Sequence, residues 1–344
     1  MAKIDEEALK KQIREKTFSN LYLFYGEESY LKQQYVSRII EKTTDESFRA
    51  FNLHSLDGKN TTLDIIAECC FAVPMMGDYS VTVVHDMELS KLDSASSAKL
   101  KELISDVPET TILIFWQDTV NVDIKDKKWS ELIKNFDNFG SAVCLMKKTQ
   151  SDLVKMLISG AKKRECVLTP DNARYLISIV GDDLNVLLNE LEKLCFFTDK
   201  GEITKGNINL VAVKSLDATA FMLTKFLIAG NFEKAYEVLD TLYHLKTEPT
   251  LIMGAIISTY VDMYRAKVAV TNGESSTAPA KAFNYRGREF RLTNGARDAG
   301  KLSILQLRNA LEILAEADEK LKTNYEESKT RLIIEEAMVR LVMI

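Results

Sequence analysis

The sequence is poor in the two residues that interrupt regular structure. Of 344 residues, only 14 are Gly and 5 are Pro, whereas disordered chains and linkers are usually rich in both. Hydrophobic residues make up 46% of the chain, which is enough to fill a core. We therefore expect a folded, mostly helical protein. A domain usually holds roughly 100 to 150 residues, so the length predicts two or three domains, and we expect three.

Cysteine and histidine are also scarce. The five cysteines, Cys69, Cys70, Cys144, Cys166 and Cys195, are odd in number and form no CxxC pair. The three histidines, at positions 54, 85 and 244, cluster neither with them nor with a serine in a nucleophile motif. These patterns favour neither a disulfide framework nor a zinc site. We predict no metal, no cofactor and no catalytic residue.

Long apolar runs and an excess of positive charge are missing as well. No run approaches the roughly 20 apolar residues of a membrane span, and the charged start, MAKIDEEALKKQIREKT, is unlike a signal peptide. We expect a cytoplasmic protein without a membrane partner. The net charge of -5 gives no general attraction for a duplex, so strong DNA binding by the chain alone is not expected.

The first part of the chain alternates apolar runs with helical patterns. This alternation is typical of a mostly parallel sheet flanked by helices, and it predicts a doubly wound α/β domain over residues 1–148. The predicted strands are Leu21 to Tyr25, Ala50 to Leu56, Val81 to Val84, Ile112 to Trp116 and Ala142 to Met146.

From about Ser151 the periodicity is helical throughout. Ser151 and Asp152 are suitable caps for a first helix, and Pro170 is suited to open a second. We predict a small helical domain over residues 149–211 and a larger one over 212–344. The predicted fold class is therefore α/β followed by all-α.

The turn after the first strand is the place to test for nucleotide binding. In G-x-x-x-x-G-K-[ST], glycines let the backbone approach the phosphates and the hydroxyl binds Mg²⁺. In GEESYLKQ, residues 26–33, Gly26 and Lys32 fit this pattern, whereas Leu31 replaces the second glycine and Gln33 replaces the hydroxyl.

Acidic residues weaken this site further. Glu27 and Glu28 would direct carboxylates into a space meant for a triphosphate, where like charges repel. After the strand VTVV, Asp86 and Glu88 are not adjacent, unlike the carboxylate pair that holds Mg²⁺ in ATPases. We predict a degenerate phosphate loop that binds neither nucleotide nor metal.

Four motifs carry a family resemblance. YLFYGEESYL (22–31), GDDL (181–184), NELEKL (189–194) and LKTNYEESKTRLIIEEAMVRL (321–341) occur in an order and spacing that resemble the delta-subunit family of the bacterial DNA polymerase III clamp loader. The resemblance implies an AAA+-like first domain, a helical lid domain and a C-terminal helical collar that joins the subunits.

The resemblance also implies a clamp-binding element. In this family the first domain inserts apolar side chains into a pocket on the sliding clamp, and the matching stretch here is Val73, Pro74, Met75 and Met76. Two methionines stand where the family more often has Leu or Phe followed by Phe. The alternative is that Met75 and Met76 are core residues at a helix end.

The function that the resemblance implies is binding of the beta sliding clamp and opening of the ring during DNA replication. No ATP would be hydrolysed in this chain, although it would belong to the DNA-directed DNA polymerase III holoenzyme. The implied partners are gamma/tau and delta-prime subunits, through the collar, and primed DNA within the complex. The alternatives are an active ATPase subunit and an architectural subunit that lacks the clamp contact.

Two basic stretches stand out against the acidic whole. Residues 147–165 and 281–301 each hold six Lys or Arg against two acids. Each stretch is a candidate for contact with DNA, and a solvated helix face is the alternative. Within the second stretch, Phe283, Tyr285 and Phe290 are interpreted as anchors of the segment.

Overall fold

The structure, a computed structural model, describes residues 5–285, 288–323 and 327–344. The chain divides into two compact units, Met1–Lys147 and Lys148–Ile344. Among the helices of these described ranges, none is both long and apolar enough to cross a membrane.

The first unit alternates strands and helices. Its strands are β1 (Leu21–Tyr25), β2 (Leu53–Asp57), β3 (Ser80–His85), β4 (Thr111–Trp116) and β5 (Ser141–Cys144). Its helices are α1 (Glu6–Glu15), α2 (Ser29–Thr43), the short α3 (Arg49–Asn52), α4 (Leu63–Cys70), α5 (Ser94–Ser105) and α6 (Lys127–Phe139).

The strands form one parallel sheet in the order β2-β3-β4-β1-β5. All five residues of β1 are buried, as expected for a strand covered on both faces. One face packs against α4, α5 and α6, with Leu21, Leu23 and Phe115 in a shared core. Tyr22 points to the opposite face, where its hydroxyl donates to Gln12 of α1 at 3.2 Å.

These elements confirm the predicted α/β fold class. The β1 prediction matches the structure residue for residue. The second predicted strand is wrong at its start, because residues from Ala50 to Asn52 belong to α3 and β2 begins only at Leu53. An apolar run alone does not distinguish a helical turn from the start of a strand.

The second unit is helical. Its helices are α7 (Gln150–Lys163), α8 (Pro170–Val180), α9 (Leu184–Thr198), α10 (Lys205–Val211), α11 (Leu216–Ile228), α12 (Phe232–His244), α13 (Pro249–Thr271), α14 (Phe290–Asp298), α15 (Ile304–Thr323) and α16 (Glu327–Val342). Pro170 opens α8 as predicted. The predicted caps of α7, Ser151 and Asp152, are wrong, because both lie inside the helix and its cap is Thr149. The Asp152 N–H donates to the Thr149 hydroxyl at 3.2 Å.

A buried polar cluster joins α13 to α14. Asp262 of α13 is only 6% exposed, and it accepts hydrogen bonds from the Tyr285 hydroxyl and from Nε of Arg291, the latter at 2.7 Å. Arg291 also donates to Ser258 at 2.6 Å. Tyr285 is thus an anchor, as the sequence predicts, while residues 286 and 287 of the basic stretch lie outside the described residues.

We predict that Asp262→Ala lowers the free energy of unfolding of the second unit by about 3 kcal/mol, because Arg291 keeps a charge without its buried partner. Both tryptophans, Trp116 and Trp129, lie in the first unit. The tryptophan fluorescence therefore reports the first unit, and its urea midpoint should stay in place. The urea midpoint of the helical signal in far-ultraviolet circular dichroism should fall.

The matched control is Asp217→Ala. Asp217 lies 3.5 Å from Arg291 but its side chain is 64% exposed, so the loss should stay below about 1 kcal/mol. Equal losses in the two variants would contradict a special role for the buried carboxylate.

Candidate functional site: a closed phosphate loop and an exposed apolar loop

Gly26 turns the chain sharply at the end of β1. Its φ of +112° is in the range that favours glycine, and a Cβ there would stand 2.3 Å from the Leu145 carbonyl oxygen. The Glu28 N–H donates to that same carbonyl at 2.9 Å. Because α2 begins at Ser29, positions 29–33, where a phosphate loop would wrap its ligand, are already helical.

Lys32 fills the space inside this turn. Its side chain is 1% exposed, and its ammonium donates to the carbonyl oxygens of Gly26 at 2.7 Å and Gln117 at 2.6 Å. Asp118 Oδ1 lies 3.3 Å from the same nitrogen. An ammonium has three donors: two are bonded to these carbonyls, and the Asp118 carboxylate supplies an opposite charge beside the nitrogen. The lysine that would bind phosphate in an ATPase is bonded to its own chain.

Burial lowers the pKa of the Lys32 ammonium, and the carboxylates of Asp118, Asp86 and Glu28 oppose that shift only in part. Glu28 is 2% exposed and lies 4.0 Å from the Lys147 ammonium. Glu27 is exposed, so Glu28 supplies the buried negative charge on this side of the lysine.

The two remaining substituted positions lie on opposite sides of α2. Leu31 is 2% exposed and belongs to the core. Gln33 is exposed and lines a shallow cavity of about 380 Å³ together with Ser37, Asp57 and His85. Neither side chain is placed to take over the role of the missing glycine or hydroxyl.

Asp86 holds the neighbouring loop. Its carboxylate accepts from the N–H groups of Asp118 at 2.6 Å and Thr119 at 2.9 Å, and from the Thr119 hydroxyl at 2.6 Å. Burial alone would raise the pKa of Asp86, but these hydrogen bonds outweigh it and hold the pKa below its usual value. Glu88 pairs instead with Lys91 at 3.0 Å.

Asp86 and Glu88 thus do not converge on one point. Within the described ranges, no group of three or more His, Cys, Asp or Glu side chains is arranged to hold a metal ion. The loop-holding role of Asp86 has no signal in the sequence, because its partners lie more than 30 residues away.

The segment between α4 and β3 is apolar and exposed. Val73 is 88% exposed, Met76 75% and Met75 49%, whereas Pro74 is half-buried. These exposures do not fit the alternative in which the methionines are core residues. We call Val73, Pro74, Met75 and Met76 the apolar loop.

One buried side chain contacts this loop. Asn52, 2% exposed, donates from Nδ2 to the Met75 carbonyl at 2.8 Å and accepts from the Met75 N–H at 2.7 Å. The sequence does not single it out, since an asparagine between a helix and a strand resembles any turn residue.

Two family models match this chain. That of the delta subunit of DNA polymerase III matches residues 22–164, and that of the C-terminal domain of the same subunit matches residues 217–341. Together the two matches cover more than half of the chain. The chain belongs to the DNA polymerase III delta subunit family.

Curated relatives and a solved structure agree. DNA polymerase III subunit delta of Bacillus subtilis is 24% identical over 94% of this chain and 93% of that protein. The subunit delta of Escherichia coli is 20% identical over 95% of this chain and 93% of its own length. The solved Bacillus subtilis DNA clamp loader delta protein is 21% identical, covers 98% of this chain and 99% of that one, and superposes with a TM-score of 0.66, which shows a shared fold.

Family membership makes the chain a delta subunit of DNA polymerase III, a protein of DNA replication. The first family match contains both the closed phosphate loop and the apolar loop, and the second covers the region from α11 to α16 except for its ends.

We predict that Lys32→Met lowers the free energy of unfolding of the first unit by about 3 kcal/mol, because the Gly26 and Gln117 carbonyls lose their donor. Tryptophan fluorescence in urea measures the change. Gln33→Ala, which changes the exposed neighbouring residue, is the control and should change the free energy of unfolding little.

ATP with Mg²⁺ should not shift the unfolding midpoint of the wild type or of either variant. A shift in the wild type would mean that the phosphate loop is open.

Asp86 should make the first unit sensitive to acid. A carboxylate with a lowered pKa stabilises the fold above its ordinary value of 3.8, and that contribution is lost as the pH falls through the folded-state pKa. The stability difference between the wild type and Asp86→Asn should therefore be largest near neutral pH and shrink as the pH falls through 3.8 and below.

The control for this experiment is Asp64→Asn, which removes the same charge from a side chain that is 73% exposed. Its difference from the wild type should be small at every pH. If the Asp86→Asn difference does not shrink in acid, the carboxylate is not the group that holds the loop.

Proposed function

We propose that this chain binds the beta sliding clamp through Val73, Pro74, Met75 and Met76 and thereby opens the ring. The observation that carries the proposal is the exposure of this loop: three large apolar side chains face solvent on a short segment between α4 and β3. Such side chains are suited to enter an apolar pocket of a partner. Methionine is flexible and polarisable, so two of them can fill a pocket of irregular shape.

Ring opening follows from differential binding. A protein that binds the open ring more tightly than the closed ring shifts the equilibrium toward the open form, and no chemical step is needed in the binding chain. The bonding of Lys32 within its own turn supports this function over that of an active ATPase subunit. The energy for the cycle would come from ATP bound in neighbouring subunits.

Assembly with gamma/tau and delta-prime subunits is proposed for the C-terminal helices. On α16, Leu332 is 63% exposed and Val339 45%, and Met343 just beyond the helix is 81% exposed. Their spacing of seven and four residues places them on one face of a helix. An apolar helix face that its own unit leaves uncovered supports the collar role of residues 212–344. The lid role of residues 149–211 and the boundary near 211 stay predictions.

Contact with primed DNA within the assembled loader is proposed for the first basic stretch. In the second stretch, Arg288 is engaged by Asp182 at 2.6 Å and Arg291 by Asp262. On α7, Lys155, Lys162 and Lys163 are exposed, and Lys155 and Lys162 are two turns apart on one face. Exposed lysines that follow one face suit a phosphate backbone.

The clamp contact predicts a loss of affinity for the clamp when Met75 and Met76 are both changed to Ala. Truncating buried anchors at an interface commonly costs about 2 kcal/mol or more, so the Kd should rise by roughly 30-fold. Surface plasmon resonance between the full chain and the beta clamp measures it.

The control is Met343→Ala, which changes a methionine of the other unit that is 81% exposed, against 75% for Met76. This variant should bind the clamp as the wild type does. Unchanged affinity of the double variant would rule out the apolar loop as the contact. Absence of any clamp binding by the wild-type chain would favour the architectural alternative.

A further inference from the structure

We infer that Asn52 is a positioning residue for clamp binding: it holds Met75 and Met76 in the conformation in which they meet the clamp. The inference rests on the proposed function of the apolar loop, but it concerns a buried side chain that would not touch the clamp itself. No part of the clamp contact expected from the sequence includes it.

The side-chain amide of Asn52 makes two hydrogen bonds with the backbone of Met75. Its Nδ2 donates to the Met75 carbonyl at 2.8 Å and its Oδ1 accepts from the Met75 N–H at 2.7 Å. In an antiparallel sheet, a residue of the neighbouring strand would exchange the same pair of hydrogen bonds with Met75. Here the Asn52 side chain takes the place of that residue. Only a carboxamide supplies both a donor and an acceptor in this planar arrangement.

Little else holds the loop. From Val73 to Asp78, in the part of the chain that the structure describes, the two bonds with Asn52 are the only hydrogen bonds that the backbone makes. The side chains of Val73 and Met76 face solvent, so they add little packing. Met76 also has a φ of +52°, a conformation that is unfavourable for a residue other than glycine.

The anchor itself is rigid. Asn52 ends α3 and is followed directly by β2, whose Leu53 is paired with Val81 of β3. The apolar loop leads into that same β3. The loop is therefore tied to the sheet at its end through β3 and at its centre through Asn52.

Gly77 lets the two segments approach each other. A Cβ at this position would stand 3.3 Å from Asn52 Nδ2, closer than most such contacts. A small residue beside the amide is what a close, two-bond contact requires.

A loop that is held before binding loses less conformational entropy when the clamp binds, and this raises affinity without any new contact. Without Asn52, the backbone around Met75 would have to be ordered by the clamp itself. We therefore expect Asn52→Ala to weaken clamp binding by about tenfold, with both methionines still present. Asn52→Asp, which keeps the acceptor for the Met75 N–H but loses the donor, should fall between the wild type and Asn52→Ala.

The matched control is Asn20→Ala. Asn20 also donates from its side chain to backbone carbonyls, those of Pro108 and Glu109 before β4 and of Thr111 at its start, at 3.1, 2.8 and 2.9 Å. These carbonyls lie away from the apolar loop in the sequence. Its loss should destabilise the first unit, as followed by tryptophan fluorescence, without weakening clamp binding. All variants are compared under conditions in which that fluorescence reports them folded.

Two further measurements separate positioning from general stability. Hydrogen exchange should become faster at the Met75 amide in Asn52→Ala and not in Asn20→Ala. In the Met75→Ala/Met76→Ala background, the Asn52→Ala change should cost little further affinity, because it acts through the same loop.

The outcomes distinguish this inference from the proposed function. If the methionine variant loses affinity while Asn52→Ala and Asn52→Asp bind as the wild type does, the positioning role is wrong and the docking role of the apolar loop stands. Equal losses in Asn52→Ala and Asn20→Ala would also overturn the positioning role, since the effect would then be one of stability. Normal binding by the methionine variant would overturn the docking role, and the positioning role with it.

Discussion

The interaction on which the first unit depends is the bonding of the Lys32 ammonium inside the turn after β1. A charged group at 1% exposure is tolerated only when its donors are satisfied. Here the carbonyls of Gly26 and Gln117 accept hydrogen bonds and the Asp118 carboxylate supplies the opposite charge. These residues follow the neighbouring strands β1 and β4. One side chain of α2 therefore joins two strand ends to its helix, at the sheet edge where a nucleotide-binding fold would hold its ligand.

Asp86, which follows β3, also joins two strand ends, those of β3 and of its neighbour β4. Its hydrogen bonds to Asp118 and Thr119 tie the end of β3 to the loop after β4. An ATPase relies on bound nucleotide and Mg²⁺ to order such loops, whereas this chain orders them with its own side chains. Loss of the glycine at position 31 and of the hydroxyl at position 33 is therefore accompanied by internal contacts that complete the fold without a ligand.

The sequence predicts the part of this picture that depends on local pattern. The number and order of the strands, the fold class and the substitutions at Leu31 and Gln33 all follow from periodicity or from the spacing of one short motif, although the start of β2 does not. What the sequence does not reveal depends on contacts between distant residues: Lys32 with Gln117 is 85 residues apart, and Asn52 with Met75 is 23. No propensity marks such pairs, because lysine and asparagine are ordinary surface residues until the fold brings acceptors to them. For the same reason the sequence is compatible with both a core and a surface position for Met75.

The two loops lie at opposite edges of one sheet, and this separates their roles. Gly26 and Asp86 follow the carboxyl ends of β1 and β3, whereas the apolar loop and Asn52 precede β3 and β2. Strands of five or six residues set these edges roughly 17 to 20 Å apart. In the proposed function no nucleotide binds at the edge that holds Gly26 and Asp86, so that edge would have no ligand-dependent state to transmit through the sheet. In the proposed function, the conformation of the apolar loop is then constant within this chain. Any control over clamp binding by ATP must act by covering or uncovering that loop from another subunit.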